Sequence, residues 1–280
     1  AEYGGEMLYI NKSAHHPMWA MEYSRDEGLR KYWDEYSYPY HKEGAGPLYR
    51  GKDASDYNHN QDILAVENIR RWFDYWQERP GTGTRISSGG VKIIFSDTNT
   101  HFRGEENYRR SGVTDAMRIP KDAFYAHQVM WDGWVDIEQP HIHIIGHWNY
   151  KEDVIKPVYV VSGADKVELF LNGKSLGEGE REYHFLYTFK DVQFETGKLE
   201  AIGYDETGKE CCRTELQTAG KPEEIRLTFV QSPDGWKADG ADMVLLQVEV
   251  MDKHGRRCPL ANDLIHFEVE GPAEWCGGIA

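Results

Sequence analysis

The sequence predicts a multidomain chain, α/β in its first half and all-β in its second. Three observations carry this prediction. Apolar side chains recur at three- and four-residue spacing between residues 60 and 79, the signature of an amphipathic helix. Short continuous apolar runs at 18–23 and 91–96 lie on either side of it, as buried parallel strands require. Beyond residue 150 the pattern changes to short alternating segments separated by turn dipeptides. At 280 residues the chain exceeds what one small domain needs, so two or three domains are expected.

Taken in order, Met18 to Tyr23 (MWAMEY) reads as a strand and 24–60 as a long loop rich in Tyr, Gly, Asp and His. Loops of that length in a compact domain usually carry function. Asn60 to Arg79 reads as a helix, with Asn60 able to cap it and Pro80 following its end. Gly81 to Gly90 reads as a turn-rich connection, and Val91 to Ser96 (VKIIFS) as a second strand with Asp97, Thr98 and Asn99 at its tip. A loop to Arg118 leads to a second helix, opened by Pro120 in its first turn and running through Phe124, His127, Gln128 and Trp131. Strand, loop, helix, strand, loop, helix makes two β/α units. Two such units cannot cover a parallel sheet on both faces, and a whole (β/α)8 TIM barrel needs roughly 250 residues. Residues 1–150 are therefore expected to be the C-terminal part of such a barrel, with its earlier strands outside this chain.

Pro157–Val161, Val167–Leu171, Phe185–Val192, Gly197–Asp205 and Cys211–Gln217 read as short strands, with Asn172-Gly173 as a hairpin turn. Their number and spacing predict an immunoglobulin-like β-sandwich over 151–220. Ile225–Phe229, Met243–Asp252 and Leu264–Val269 then begin a second one over 221–280, expected to be incomplete.

The net charge of −15 argues against nucleic acid and anionic membranes as partners, and no apolar run reaches the 18 residues of a membrane span. Seven of the nine Trp and nine of the 12 His precede residue 150. Such aromatic residues either fill a large core or line a sugar-binding cleft, where the apolar face of a pyranose stacks on a ring. Cys211, Cys212, Cys258 and Cys276 have neither a disulfide-framework nor a zinc spacing. His141 and His143, with His147 and His127 nearby, suggest a metal site, but no acidic residue sits at a known zinc spacing, so neither metal nor cofactor is expected.

The strongest candidate for chemistry is Glu22, at the C-terminal end of the first strand beside Trp19 and Tyr23. Catalytic groups of barrel enzymes cluster at that end of the strands; an ordinary strand-end carboxylate is the bland alternative. Asp97 and Asn99, at the tip of the second strand, could bond sugar hydroxyls or simply cap a turn.

Six segments, in order, resemble glycoside hydrolase family 2. HPMWAMEYS is similar to the segment that ends the seventh barrel strand in the nucleophilic Glu, and GVKIIFSDTN resembles the eighth strand. RRSGVTDAMRIPKDAFYAHQVMW is similar to a stretch in which Gly-x-x-Asp leads into an Ile-Pro-Lys helix start. HIHIIGHWNY resembles the segment joining the barrel to the next module, LFLNGKSLG a hairpin of that module, and PDGWKADGADMVLLQVEVMDKHGRRCP the start of a further bacterial immunoglobulin-like module.

The resemblance implies retaining hydrolysis of a β-glycoside of β-galactosidase or β-glucuronidase type, the former preferred. Glu22 would be the nucleophile, and the substrate would be a β-linked oligosaccharide or polysaccharide. By position, Asp97, Asn99 and Tyr23 are the candidates to bind it, Tyr23 otherwise orienting Glu22 or simply packing. It also makes export to a periplasm or cell surface the expectation, with a cytoplasmic location left open. The family's acid/base is a Glu after an Asn, well before the nucleophile. Only 21 residues precede Glu22, and neither Glu2 nor Glu6 follows an Asn. The chain alone is therefore expected to be inactive, with the rest of the barrel supplied by another fragment. The competing reading is a noncatalytic carbohydrate-binding or adhesion protein built on immunoglobulin-like modules, which would have no use for parallel strand–helix units.

Overall fold

The computed structural model describes residues 2–5, 17–23, 27–29, 34, 36–37, 58–73, 86–92, 94–98, 110–135 and 138–278. They form two compact units, Ala1–Leu216 and Gln217–Ala280.

The first unit opens with parallel strands. β1 (Glu2–Gly5) and β2 (Pro17–Tyr23) pair with Tyr3 opposite Trp19. A short parallel pair follows, β3 (Glu27–Leu29) with β4 (Asn58–Asn60), inside the stretch that reads from sequence as loop. Helix α1 (Gln61–Phe73) starts directly after β4. It turns Leu64, Ala65, Ile69 and Trp72 inward, and its last turn carries Arg70 and Arg71 at the negative end of the helix dipole. The buried Asn68 amide donates back to the Leu64 carbonyl (2.6 Å).

β5 (Ile86–Lys92) lies on the other side of β2, giving the order β1-β2-β5. This corrects the sequence reading, which left residues up to Gly90 in a turn. Ser87–Gly90 are poor strand formers, but pairing with β2 overrides weak local propensity. Past Lys92 the chain changes partner. Val113 donates to the Ile94 carbonyl (3.3 Å), Thr114 to that of Phe95 (3.0 Å), and Asp97 to that of Thr114 (3.0 Å). Lys121 donates to Val113 (3.0 Å), so Pro120 still belongs to an extended segment and helix α2 (Asp122–Val135) begins beyond it. α2 buries Ala123, Ala126, Val129 and Met130 against α1.

Eight antiparallel strands complete this unit. One sheet has the order β10-β11-β7-β6, from β6 (Ile142–Ile144), β7 (Ile155–Ser162), β10 (Glu180–Glu182) and β11 (Leu186–Gln193). The other has the order β13-β12-β8-β9, from β8 (Lys166–Leu171), β9 (Lys174–Glu178), β12 (Lys198–Tyr204) and β13 (Glu210–Gln217). β9 and β10 are short and polar, which is why the hydrophobic pattern did not reveal them. The β8–β9 turn is Asn172-Gly173, both at positive φ (52° and 81°), the backbone twist that a two-residue hairpin needs.

Between the sheets lie Val158, Val160, Val167, Leu169, Leu171, Tyr187, Phe189, Leu199 and Ala201. The opposite face of β7 and β11 turns Val161 and Leu186, with Phe185, toward the two helices. That sheet is thus covered on both sides, and Leu186–Phe189 are buried continuously instead of alternating. Deeply buried rings find hydrogen-bond partners: Trp148 Nε1 donates to Glu195 (3.0 Å) and the Tyr187 hydroxyl to Ala164 (2.6 Å). All four cysteines are free thiols.

The second unit contains the hairpin β14 (Glu224–Val230) and β15 (Leu245–Met251), in register from Glu224↔Met251 to Val230↔Leu245. Asp252 closes it, accepting the amides of Gly220, His254 and Arg256 at 2.8 to 2.9 Å. These amides hold its carboxyl down to about 2, against a smaller opposing effect of burial. The strand expected at Leu264–Val269 is not formed. Alternation marks a segment able to pair, but a strand exists only where a neighbouring edge accepts its hydrogen bonds.

Candidate active-site rim

In a β/α unit the chain leaves a strand at its C-terminal end and enters the following helix at its N-terminal end, so both lie at one rim of the sheet. β2 reaches that rim with Glu22, opposite Gly5, and Tyr23, opposite Lys92. β5 reaches it with Lys92, and Asp97 follows. The backbones of three of the candidates are thus carried to one end. The side chains of Glu22 and Tyr23, and Asn99 altogether, lie outside the described residues.

Asp97 is the best-defined member. Its Oδ1 accepts Lys121 Nζ (2.9 Å) and the Gly112 amide (2.9 Å). Lys121 is completely buried and also donates to the Arg110 carbonyl (3.1 Å), while Lys92 Nζ donates to that of Ser111 (2.9 Å). Burial pushes the Asp97 carboxyl up to about 6, and the Lys121 ammonium only partly offsets it. Gly112 packs so closely that a Cβ would overlap the Asp97 nitrogen and the Thr114 carbonyl. Asp115 shapes the next turn, taking the amides of Met117 (2.9 Å) and Ile119 (2.8 Å) on Oδ1, and Arg118 adopts a positive φ of 63° there.

Gly112, Asp115, Pro120 and Lys121 are therefore one folded unit wrapped on Asp97. Sequence reasoning singled out Asp97 but missed Lys121 and Gly112 as its partners. The available signal was the Gly-x-x-Asp…Ile-Pro-Lys run itself.

The four histidines that suggest a metal site each have their own partner. His127 Nδ1 donates to Ala123 (2.7 Å), and burial, with Lys92 nearby, lowers its pKa to about 4. His141 meets Asp132 (2.7 Å), His143 meets Asp122 (2.8 Å) and His147 meets Ser37 (2.7 Å). Among the described residues no three His, Cys, Asp or Glu side chains converge as metal ligands would, and no helix is long and apolar enough to cross a membrane.

Residues 225–279 match the family model described as Glycoside hydrolase family 2 C-terminal domain 5, and residues 153–212 match a domain of unknown function (DUF4982). A Beta-glucuronidase of Formosa agariphila is 37% identical over 270 residues, covering 94% of this chain and 25% of that protein. Beta-galactosidase BoGH2A of Bacteroides ovatus is 38% identical over 162 residues, 57% of this chain and 18% of that protein. The chain thus spans a quarter or less of the length of these two relatives. The solved structure of a beta-glucuronidase from glycoside hydrolase family 2 superposes with a TM-score of 0.72 at 33% identity, over 88% of this chain and 24% of that one. A beta-glycosidase from Bacteroides vulgatus shares the fold (TM-score 0.62, 22% identity, 86% of this chain and 32% of that one). With a C-terminal domain of this family in its second unit and likeness to a family enzyme across most of its length, the chain belongs to glycoside hydrolase family 2.

Proposed function

We propose that this chain is part of a retaining β-glycoside hydrolase. Residues 1–150 are the C-terminal part of its (β/α)8 barrel, 151–220 an immunoglobulin-like sandwich and 221–280 a second, incomplete one. The observation that carries this reading is the 33% identical superposition on a family 2 beta-glucuronidase over 88% of the chain. The parallel order β1-β2-β5, with α1 between β2 and β5 in sequence, supports it.

Glu22 is the nucleophile. Its carboxylate attacks the anomeric carbon, the bond to the leaving oxygen breaks, and a glycosyl ester forms. A second carboxyl about 5–5.5 Å away protonates that oxygen and then takes a proton from the water that cleaves the ester. This acid/base belongs to sequence outside the 280 residues, so the chain turns over substrate only with the rest of the barrel. Tyr23, Asp97 and Asn99 bind the sugar, and the substrate is a β-linked oligosaccharide or polysaccharide met in the periplasm or outside the cell.

The test is Glu22→Gln in the full-length polypeptide that contains this chain, assayed on p-nitrophenyl β-D-galactoside and β-D-glucuronide. The expected result is a loss of about 10³-fold or more in kcat with sugar binding kept. Mass spectrometry should also find a 2-fluoroglycoside ester on Glu22 in the unmutated enzyme. The faster of the two substrates identifies the sugar. Full turnover in the variant rejects Glu22 as nucleophile, and binding without turnover in the unmutated protein favours a carbohydrate-binding module.

A further inference from the structure

The segment between β6 and β7, residues 145–154, joins two neighbouring strands of one sandwich sheet, yet it meets the first turns of both helices. By the β/α geometry of the proposed barrel, the N-terminal turns of α1 and α2 are expected at the end where β2 and β5 stop. At α2, Asp122 accepts His143 Nε2 on Oδ1 (2.8 Å) and the Gly146 amide on Oδ2 (3.1 Å). At α1, a Cβ built on Gly146 would lie 4.0 Å from that of Asp62, an ordinary contact. The third anchor is Asp34, in the connection between β3 and β4.

Asp34 is buried, and both of its carboxylate oxygens accept hydrogen bonds. Oδ2 accepts the Tyr150 hydroxyl (2.7 Å) and Lys156 Nζ (2.9 Å); Oδ1 accepts the Ser37 hydroxyl (3.0 Å) and the Tyr36 amide (3.1 Å). His147 extends the chain. Its Nδ1 accepts the Asn149 amide (3.1 Å), so Nε2 bears the hydrogen and donates to Ser37 Oγ (2.7 Å), leaving the Ser37 hydrogen for Asp34. The imidazole stacks on Tyr150 with ring centres 4.5 Å apart, and the Lys156 ammonium lies 5.0 Å from the same ring. Burial works against ionisation of Asp34, but Lys156 and these hydrogen bonds prevail and hold its carboxyl below the usual range.

Apolar contacts of α1 and α2 with Val161, Phe185 and Leu186 already bury the surface between helices and sandwich. A buried ion pair adds little net stability beyond such packing, but its fixed geometry admits one orientation. We propose that Asp34 is a positioning residue. Through Tyr150, Lys156 and the Ser37–His147 pair it locks the 145–154 segment of the sandwich onto the strand-exit rim, so the sandwich sets the geometry of the end where Glu22 lies. This rests on Glu22 being the nucleophile.

The test is Asp34→Asn in the full-length polypeptide, with kcat and KM measured on whichever p-nitrophenyl glycoside the unmutated protein cleaves. The folded fraction is followed by circular dichroism, well below the melting temperature. Displacement of a reacting group by an ångström lowers turnover on the order of 10²-fold, so kcat should fall about ten- to a hundredfold while KM stays within about threefold. Should Asp34→Asn not fold, Ser37→Ala removes only the hydroxyl link, and its kcat should fall severalfold at unchanged KM. A folded variant with unaltered kcat and KM, whatever its melting temperature, overturns the proposal and makes the network scaffolding. The Glu22 reading fails separately: Glu22→Gln would then keep full turnover, or the unmutated protein would have none.

Discussion

Lys121, without exposed surface, places its ammonium 2.9 Å from Asp97 Oδ1. The pair ties the start of α2 to the segment that follows β5. Removing one partner of a buried pair leaves an uncompensated charge, which typically costs 3–5 kcal/mol. Lys121→Met should therefore lower unfolding free energy by about 3–5 kcal/mol. Urea denaturation measures this, and a loss below about 1 kcal/mol would contradict a tightly enclosed pair.

Gly112 donates its amide to the same Oδ1, with no room for a Cβ. Gly112→Ala has to push apart two backbone segments and should cost at least about 2 kcal/mol, in the range of overpacking. Gly208, at the tip of the β12–β13 turn with nothing within 4 Å of a built Cβ, is the control for crowding. Gly208→Ala should cost less despite its positive φ of 82°. Equal losses in the two variants would show that backbone crowding at Gly112 is not the cause.

His127 and Asp97 should give pH dependences of opposite sign. Burial lowers the folded pKa of His127 from 6.5 to about 4. Between those values the unfolded chain binds more protons, so its contribution to stability is lost as pH falls from about 6.5 to 4. Burial raises Asp97 from 3.8 to about 6. In that window the folded chain binds more protons, so this contribution is lost as pH rises. His127→Gln should therefore make the stability curve fall more steeply with rising pH between 4 and 6, and Asp97→Asn should do the reverse. Each change in slope approaches about 1.4 kcal/mol per pH unit. Denaturation at several pH values decides it, and parallel curves for both variants and the unmutated protein would refute the assignment.

Leu169 lies fully buried between the two sheets. Leu169→Ala should cost about 2–5 kcal/mol. Leu176, more than a third exposed on β9, should tolerate the same change with a loss under about 1 kcal/mol. Similar losses at both positions would contradict the inward orientation of β8.

Much of this fold is legible in the residues because the forces responsible are local or periodic. Helical spacing marked α1 through Ile63, Val66, Ile69 and Phe73, although the fold turns Leu64 and Trp72 inward beside Ile69; alternation marked β8 and β12, and Asn172-Gly173 marked its hairpin. The first part of β5 escaped because Ser87 to Gly90 carry no strand propensity and gain their structure from β2; only Val91 and Lys92 of the expected strand at 91–96 lie in it. β10 escaped, and β9 was marked only by its turn and hairpin motif, because polar edge strands leave no hydrophobic trace.

At the candidate site, residue types and their order singled out Glu22, Tyr23, Asp97 and Asn99. By itself the sequence determined the acidic charge, the switch from β/α units to short strands near residue 150, and the likeness to glycoside hydrolase family 2. Only the tertiary structure decided that Lys121 neutralises Asp97 and that Asp34 meets Tyr150 and Lys156. Those partners lie 24, 116 and 122 positions apart along the chain. Periodicity reports which side of an element is buried; which charge meets which is set by how packed elements bring distant segments within 3 Å, where burial makes each pairing strong.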